Sequence, residues 1–307
     1  MTHLTTLPPQ TQLAYERLRE YVSAADTPNT LKAYQSDLDH FRVWGGTIPA
    51  QPLLVADYLV AHAERLTMAT LRRRLVAIGR AHTTYALPNP VPTELVRLTM
   101  KGIARKHGKP QHPMKPLLKE DVLRILACMG DSLRDSRDKA LLLIGFAGGF
   151  RRSELVGITV ADLDYRREGV VITLPRSKTD QEGHGRKVGI PYGRGTVCPV
   201  KALNLWLKVT GITDGPIFRQ VAKGGRLAGA LSAHAVADIV KERAIEAGLD
   251  ATDLAAHSLR SGMVTSATQA GFASHKIMAQ TGHTSLETLH RYIRDADLFT
   301  NNAGGLF

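Results

Sequence analysis

Arg151, His257, Arg260, His283 and Tyr292 follow one another along the chain. Each arginine and histidine sits in a short string: Gly-Phe-Arg-Arg-Ser-Glu-Leu (149–155), His-Ser-Leu-Arg (257–260) and Thr-Gly-His (281–283). Tyr292 falls nine residues after the last histidine. Such a set could open a phosphodiester with a phenol. The pentacoordinate phosphorane carries more negative charge than the ground state, so fixed cations help most at that stage. An arginine fork meets two phosphate oxygens at once, which makes Arg151 and Arg260 the candidates. A phenol with a pKa near 10 needs a proton acceptor or a strongly positive field. His257, three residues before Arg260, would share its helix face and is the candidate base. The leaving 5′-oxygen needs a proton, and Lys178 at an expected turn could supply it. The covalent link would conserve phosphodiester energy, so neither a cofactor, ATP nor a metal ion is chemically required.

Each string alone has an ordinary explanation. A His-x-x-Arg pair is commonly a surface helix pair, Gly-Phe-Arg-Arg-Ser-Glu-Leu could be only a helix start, and a tyrosine is commonly packing. The order and spacing of the whole set carry the weight.

The 307 residues suffice for two domains, and 43% hydrophobic content suffices for ordinary cores. A net charge of +12 points to a polyanionic partner. Residues 67–109 hold nine Lys/Arg and one acid, Glu94, whereas residues 1–66 hold five Lys/Arg and seven Asp/Glu. The basic stretch is a candidate phosphate-facing surface, with Arg72, Arg73, Arg74, Arg80, Lys101, Arg105 and Lys106 as its DNA-binding candidates. No apolar run reaches the roughly 20 residues of a membrane span. The N-terminus lacks the charged and apolar regions of a signal peptide, and Cys128 and Cys198 stand far apart. The expectation is a soluble, cytoplasmic, nucleoid-associated protein without a structural metal.

The elements that must position the set divide in two. Thr27-Pro28-Asn29-Thr30 opens a helix with Leu31, Tyr34, Leu38, Phe41 and Trp44 on one stripe, ended by Gly45-Gly46. Further helices are expected from Leu53 to Arg65, from Thr67 with Leu71, Leu75, Ile78, His82 and Tyr85 as its stripe, and from Pro92 to about Lys106. Residues 105–117, with three prolines, a glycine and four basic residues, read as a linker. The boundaries are a helical domain 1–108, a linker 109–117 and a second domain 118–307. In the second domain, helices are expected at 119–129, 140–146, 199–210, 232–247, 257–270, 273–281 and 284–294. Strands are expected at 169–175 and 186–191 around a turn at 177–185, with 216–219 as a third.

With these motifs in place, the second domain resembles the catalytic domain of the tyrosine recombinase (phage integrase) family, in its Xer-like and Cre-like members. The family pattern is arginine, lysine, His-x-x-Arg, His or Trp, then tyrosine. Arg151 matches the first position, Glu154 the bracing acid that follows it, His257 and Arg260 the pair, His283 the fourth motif and Tyr292 the nucleophile. Lys178 follows Arg-Ser as in Cre-like members; Lys187 on the returning strand is its rival for the general acid. Arg152 occupies a variable position. The resemblance is strong over 115–295 and looser at Asn-Thr-Leu-Lys-Ala-Tyr (29–34).

That resemblance implies a mainly α fold with a small antiparallel sheet. A helical, SAM-like core-binding domain and an α+β catalytic domain would form a C-shaped clamp on double-stranded DNA carrying a specific core site. It implies a 3′-phosphotyrosine, a Holliday junction and a homotetramer on two duplexes, with the tail 295–307 contacting a neighbouring protomer. An arm-binding domain ahead of the first helices is not expected. Two other functions share the pattern: a type IB topoisomerase, which usually has lysine where His257 stands, and a catalytically silent DNA-binding regulator. A membrane-surface protein would rest on charge alone.

Overall fold

A computed structural model of the chain describes residues 20–21, 25–109, 114–175, 185–193, 195, 197–287 and 289. The chain divides into two compact units, residues 1–112 and 113–307. The described residues are mainly helical, with two small antiparallel sheets.

Helix α1 of the first unit spans Pro28–Trp44. The Thr27 hydroxyl accepts from the Thr30 amide at 3.2 Å, Pro28 fits the first turn, and Gly45 closes the helix at a φ of +113°. Helix α2 is Pro52–His62, α3 is Met68–Thr84 behind an N-cap from Thr67, and α4 is Glu94–His107. Helix α1 packs on α3, and α2 packs on α4. Phe41, Val55, Tyr58, Leu59, Leu71 and Ile78 are fully enclosed between them. The expected stripes hold with two exceptions. Leu31 is 45% exposed, and Tyr85, just past the end of α3, is 70% exposed.

In the second unit, α5 is Lys119–Ala127, α6 is Leu133–Gly148 and the short α7 is Arg152–Gly157. Strands β1 (Leu163–Arg166), β2 (Gly169–Leu174) and β3 (Arg186–Pro191) form a meander. The register pairs Leu174 with Arg186 and Ile172 with Val188. The turn between β2 and β3 lies outside the described residues. Helix α8 (Pro199–Thr210) follows, then the hairpin β4 (Arg219–Val221) and β5 (Leu227–Ala230), α9 (Ala233–Glu246), α10 (His257–Gln269) and α11 (Ser274–Thr281).

Two strand expectations change. Strand β1 joins the sheet although its Leu-Asp-Tyr-Arg sequence has little apolar pattern. The expected strand at 216–219 shifts: β4 starts at Arg219 in a separate sheet, and Pro216 makes only an isolated bridge to Thr159. Proline has no amide to donate to a ladder, which accounts for the later start.

Helix α6 is the central post. Its Ala140, Leu141, Leu142 and Ile144 are at most 0% exposed, and it contacts α8, α10 and β3. Helix α10 is fixed from the other side by the entering chain. The Leu117 amide donates to the Ser258 carbonyl at 2.9 Å. A Cβ on Gly262 would lie 1.7 Å from the Leu117 carbonyl oxygen, so only glycine permits this approach.

Candidate active site

Arg151 owes its position to a broken helix. Gly149 ends α6 in the left-handed region at φ +56°, and Phe150 is buried at 2% exposure. Arg151 then becomes the N-cap of α7. Glu154, at the third position of α7, reaches back to it. The Glu154 carboxylate accepts from the Arg151 amide at 2.9 Å and from Arg151 Nη1 at 2.6 Å. Glu154 thus holds the arginine in place while lying near the positive end of α7.

Arg260 sits one turn after His257 on α10 and is 1% exposed. Its Nη1 donates to the Gly149 and Thr281 carbonyls, at 2.6 Å each. These carbonyls lie at the C-terminal ends of α6 and α11, where backbone acceptors are left over and the helix dipole favours a cation. One guanidinium therefore ties the Arg151 turn to the His283 turn. Arg260 Nη2 also meets His283 Nε2 at 3.2 Å.

His283 follows Gly282, which closes α11 at φ +68°. Its tautomer can be read from its partners. The Thr281 hydroxyl donates its single proton to the Ile277 carbonyl at 2.7 Å, so it accepts from His283 Nδ1–H at 2.7 Å. Nε2 is then the acceptor for Arg260, which can only donate. This is a neutral imidazole. Burial, then the charges of Arg260 and Arg151 with smaller effects from His257 and Arg186, lower its pKa from 6.5 to about 4. His257 presents surface to solvent, yet dense packing around its ring and then Arg260, Arg151 and Arg152 hold its pKa below the usual histidine range. A neutral imidazole at that position can accept a proton.

Arg151, Glu154, His257, Arg260 and His283 thus converge from three elements: the α6–α7 turn, α10 and the end of α11. Leu289, three residues before Tyr292, is buried against Val264 and Ile277. Tyr292 and Lys178 themselves lie outside the described residues. Lys187 is exposed on β3 opposite Thr173.

Three positioning groups carried no functional role in the sequence analysis. Thr281 sets the His283 tautomer; it stood unassigned in the Thr-Gly-His string. The Gln280 side chain donates to the Ala147 carbonyl at 2.9 Å and the Gly189 carbonyl at 3.1 Å. Arg186 donates from Nη2 to Glu154 Oε2 at 3.2 Å and from Nη1 to the Gln280 carbonyl.

The basic candidates of the first unit separate. Arg72, Lys101, Arg105 and Lys106 are exposed. Arg80 is half-exposed, paired with Asp26 and 5.8 Å from the Tyr34 ring centre. Arg73 makes a two-pronged contact to Asp37, at 2.7 and 2.8 Å, with half its side chain still exposed. Arg74 departs from the expectation of a DNA contact. It is 8% exposed and donates at 2.8 Å to the Tyr58 hydroxyl, with His40 Nδ1 at the same distance and Asp37 beside it. Its place three residues after Leu71 and four before Ile78 turns it inward, and the lone buried acid of α1 is its counter-charge.

The chain resembles known proteins in sequence and in fold. The model of the phage integrase family matches residues 115–298. The chain is 41% identical to the integrase/recombinase xerD homolog of Selenomonas ruminantium, over 90% of this chain and 84% of that protein. It is 26% identical to recombinase cre of Escherichia phage P1, over 81% of this chain and 77% of that protein. Its fold is similar to that of a lambda integrase tetramer bound to a Holliday junction, with a TM-score of 0.64 at 17% identity, over 92% of this chain and 76% of that one. The chain belongs to the phage integrase family, the tyrosine recombinases.

Proposed function

We propose that the chain cuts and rejoins double-stranded DNA at a specific core site through a 3′-phosphotyrosine. The observation that carries this reading is the convergence of Arg151, Arg260, His257 and His283 around one surface, with Glu154 as the only acid among them. The surplus positive charge suits a phosphorane and would be unfavourable without an anion.

Tyr292 attacks the scissile phosphate and forms a bond to phosphorus as the bond to the 5′-oxygen breaks. His257 takes the phenolic proton. Lys178 gives a proton to the leaving 5′-oxygen, with Lys187 as the rival donor. Arg151 and Arg260 stabilise the phosphorane, and Glu154 holds Arg151. His283 Nε2 accepts from Arg260 before DNA arrives. An incoming phosphate favours the protonated ring, which can then donate to a non-bridging oxygen. Attack by a 5′-hydroxyl from a second duplex reverses the step and yields a Holliday junction.

Four copies on two duplexes, contacts from the tail 295–307 to a neighbour, and work at the nucleoid in the cytoplasm complete the proposal. Arg72, Arg73, Arg80, Lys101, Arg105 and Lys106 are the proposed backbone contacts of the first unit. The test uses the native chain with EDTA and a duplex carrying its inverted-repeat site, nicked close to the cut. A covalent adduct on the 3′ side with a free 5′-hydroxyl is expected. Relaxation of plasmid lacking any site, with no joining between two sites, would instead favour topoisomerase action.

A further inference from the structure

Arg186 opens β3, directly opposite Leu174 at the end of β2, and so stands at the root of the β2–β3 hairpin, with Lys178 in the sequence between the two strands. Its side chain is 16% exposed and pairs with the buried Glu154 carboxylate. One guanidinium nitrogen serves Glu154 and the other serves the Gln280 backbone carbonyl. Between those contacts the fork lies flat against Gly282. A Cβ there would come within 2.9 Å of Arg186 Nε and 3.0 Å of its Cζ. Its Nε finds no acceptor among the described residues.

We propose that Arg186 is a positioning residue for strand cleavage: from the hairpin root it holds Glu154, and through it Arg151, in register with the turn that presents His283. The inference rests on the proposed recombinase reaction. Three contacts fix the Glu154 carboxylate, two from Arg151 and one from Arg186. Losing the third leaves a buried carboxylate with Arg151 as its one partner among the described residues, and the pair can rotate together. The His283 turn loses one of its two ties to β3 at the same moment and keeps the one from the Gln280 side chain to the Gly189 carbonyl. Arg260 and Gln280 still hold that turn to α6, so the fold survives while the register between the two phosphate-facing groups loosens. Burial disfavours this guanidinium more than the Glu154 charge favours it, and the nearby Arg151 disfavours it further. Lysine cannot replace it, because one ammonium lacks the fork that spans both acceptors.

The experiment uses the full chain with a nicked suicide duplex under single-turnover, saturating conditions. Duplex affinity is measured in a Tyr292→Phe background, and thermal melting is recorded for each variant. Arg186→Lys and Arg186→Met are expected to keep Kd within about threefold while cleavage slows on the order of 10²-fold, as for a reacting group displaced by about 1 Å. Arg186→Lys is expected to melt close to the native chain. Native cleavage rates in both variants would overturn the proposal. So would a loss of affinity in step with the loss of rate, which would make Arg186 a direct DNA contact. Failure of Arg186→Lys to fold would also overturn it, by making the residue a support of the fold. A native chain that forms no adduct sinks the recombinase reading itself, whatever the variants do.

Discussion

Arg260 is a structural cross-link before it is a phosphate ligand. Both Nη1 contacts go to helix-terminal carbonyls and Nη2 meets His283. Thr281 and Arg260 together fix His283 as a neutral ring with its proton on Nδ1. This has a consequence for stability. The folded pKa of His283, about 4, lies below the ordinary 6.5, so between those values the unfolded chain binds a proton that the folded chain does not. Folding stability therefore falls as pH drops from about 6.5 toward 4 and is fully present above that window. His257, lowered for similar reasons, acts in the same direction. Urea denaturation at pH 7 and pH 5 should show the loss in the native chain and a smaller one in His283→Trp. The indole N–H is a donor that does not titrate, so His283→Trp should also retain cleavage. An equal acid loss in both proteins would contradict the lowered pKa of His283.

Helices α6 and α9 are joined by charges buried in the second unit. Asp138, 0% exposed, accepts from Arg137 Nε at 2.7 Å and Arg243 Nε at 2.8 Å. Arg243 also reaches Asp135 and Glu246, at 2.8 Å each, and despite burial Asp138 and Glu246 raise its pKa. Removing one member of such a network strands the others. Asp138→Ala should lower unfolding free energy by about 3–5 kcal/mol, read from the denaturant midpoint, with site-specific DNA chemistry retained in the folded fraction. A change below about 1 kcal/mol would show that the network is replaceable. Elements of this kind differ in how far the sequence reveals them. Thr27, Gly45, Thr67 and the β2 and β3 runs act locally, through caps and alternation, and their elements fall close to expectation. The strings around Arg151, Arg260 and His283 were legible for the same reason. Arg186 was not, because its partner, the Gln280 carbonyl, lies 94 residues away. Arg74 was misread because a run of three arginines looks like a surface. Only the folded contacts of α3 with Asp37 on α1 and Tyr58 on α2 show that one of them is received inside.

At the scale of the whole molecule, a charge of +12 is divided between arginines that build the protein and cations left for a partner. Arg74, Arg137, Arg243 and Arg260 are buried and bonded, while Arg72, Lys101, Arg105 and Lys106 face outward from the first unit. The proposed reaction needs both kinds: an internal framework that fixes the phosphate site, and an exposed surface that brings the duplex to it. Among the described residues no helix is long and apolar enough to cross a membrane. In the proposed reaction Tyr292 makes the covalent bond. The most direct measurement is mass-spectrometric mapping of the adduct trapped on a suicide duplex, with Tyr292→Phe run in parallel. The account predicts a nucleotide-bearing peptide that contains Tyr292, together with a Tyr292→Phe chain that binds the duplex with native affinity and traps none of it. An adduct that persists in Tyr292→Phe, or that maps to another residue, would contradict it.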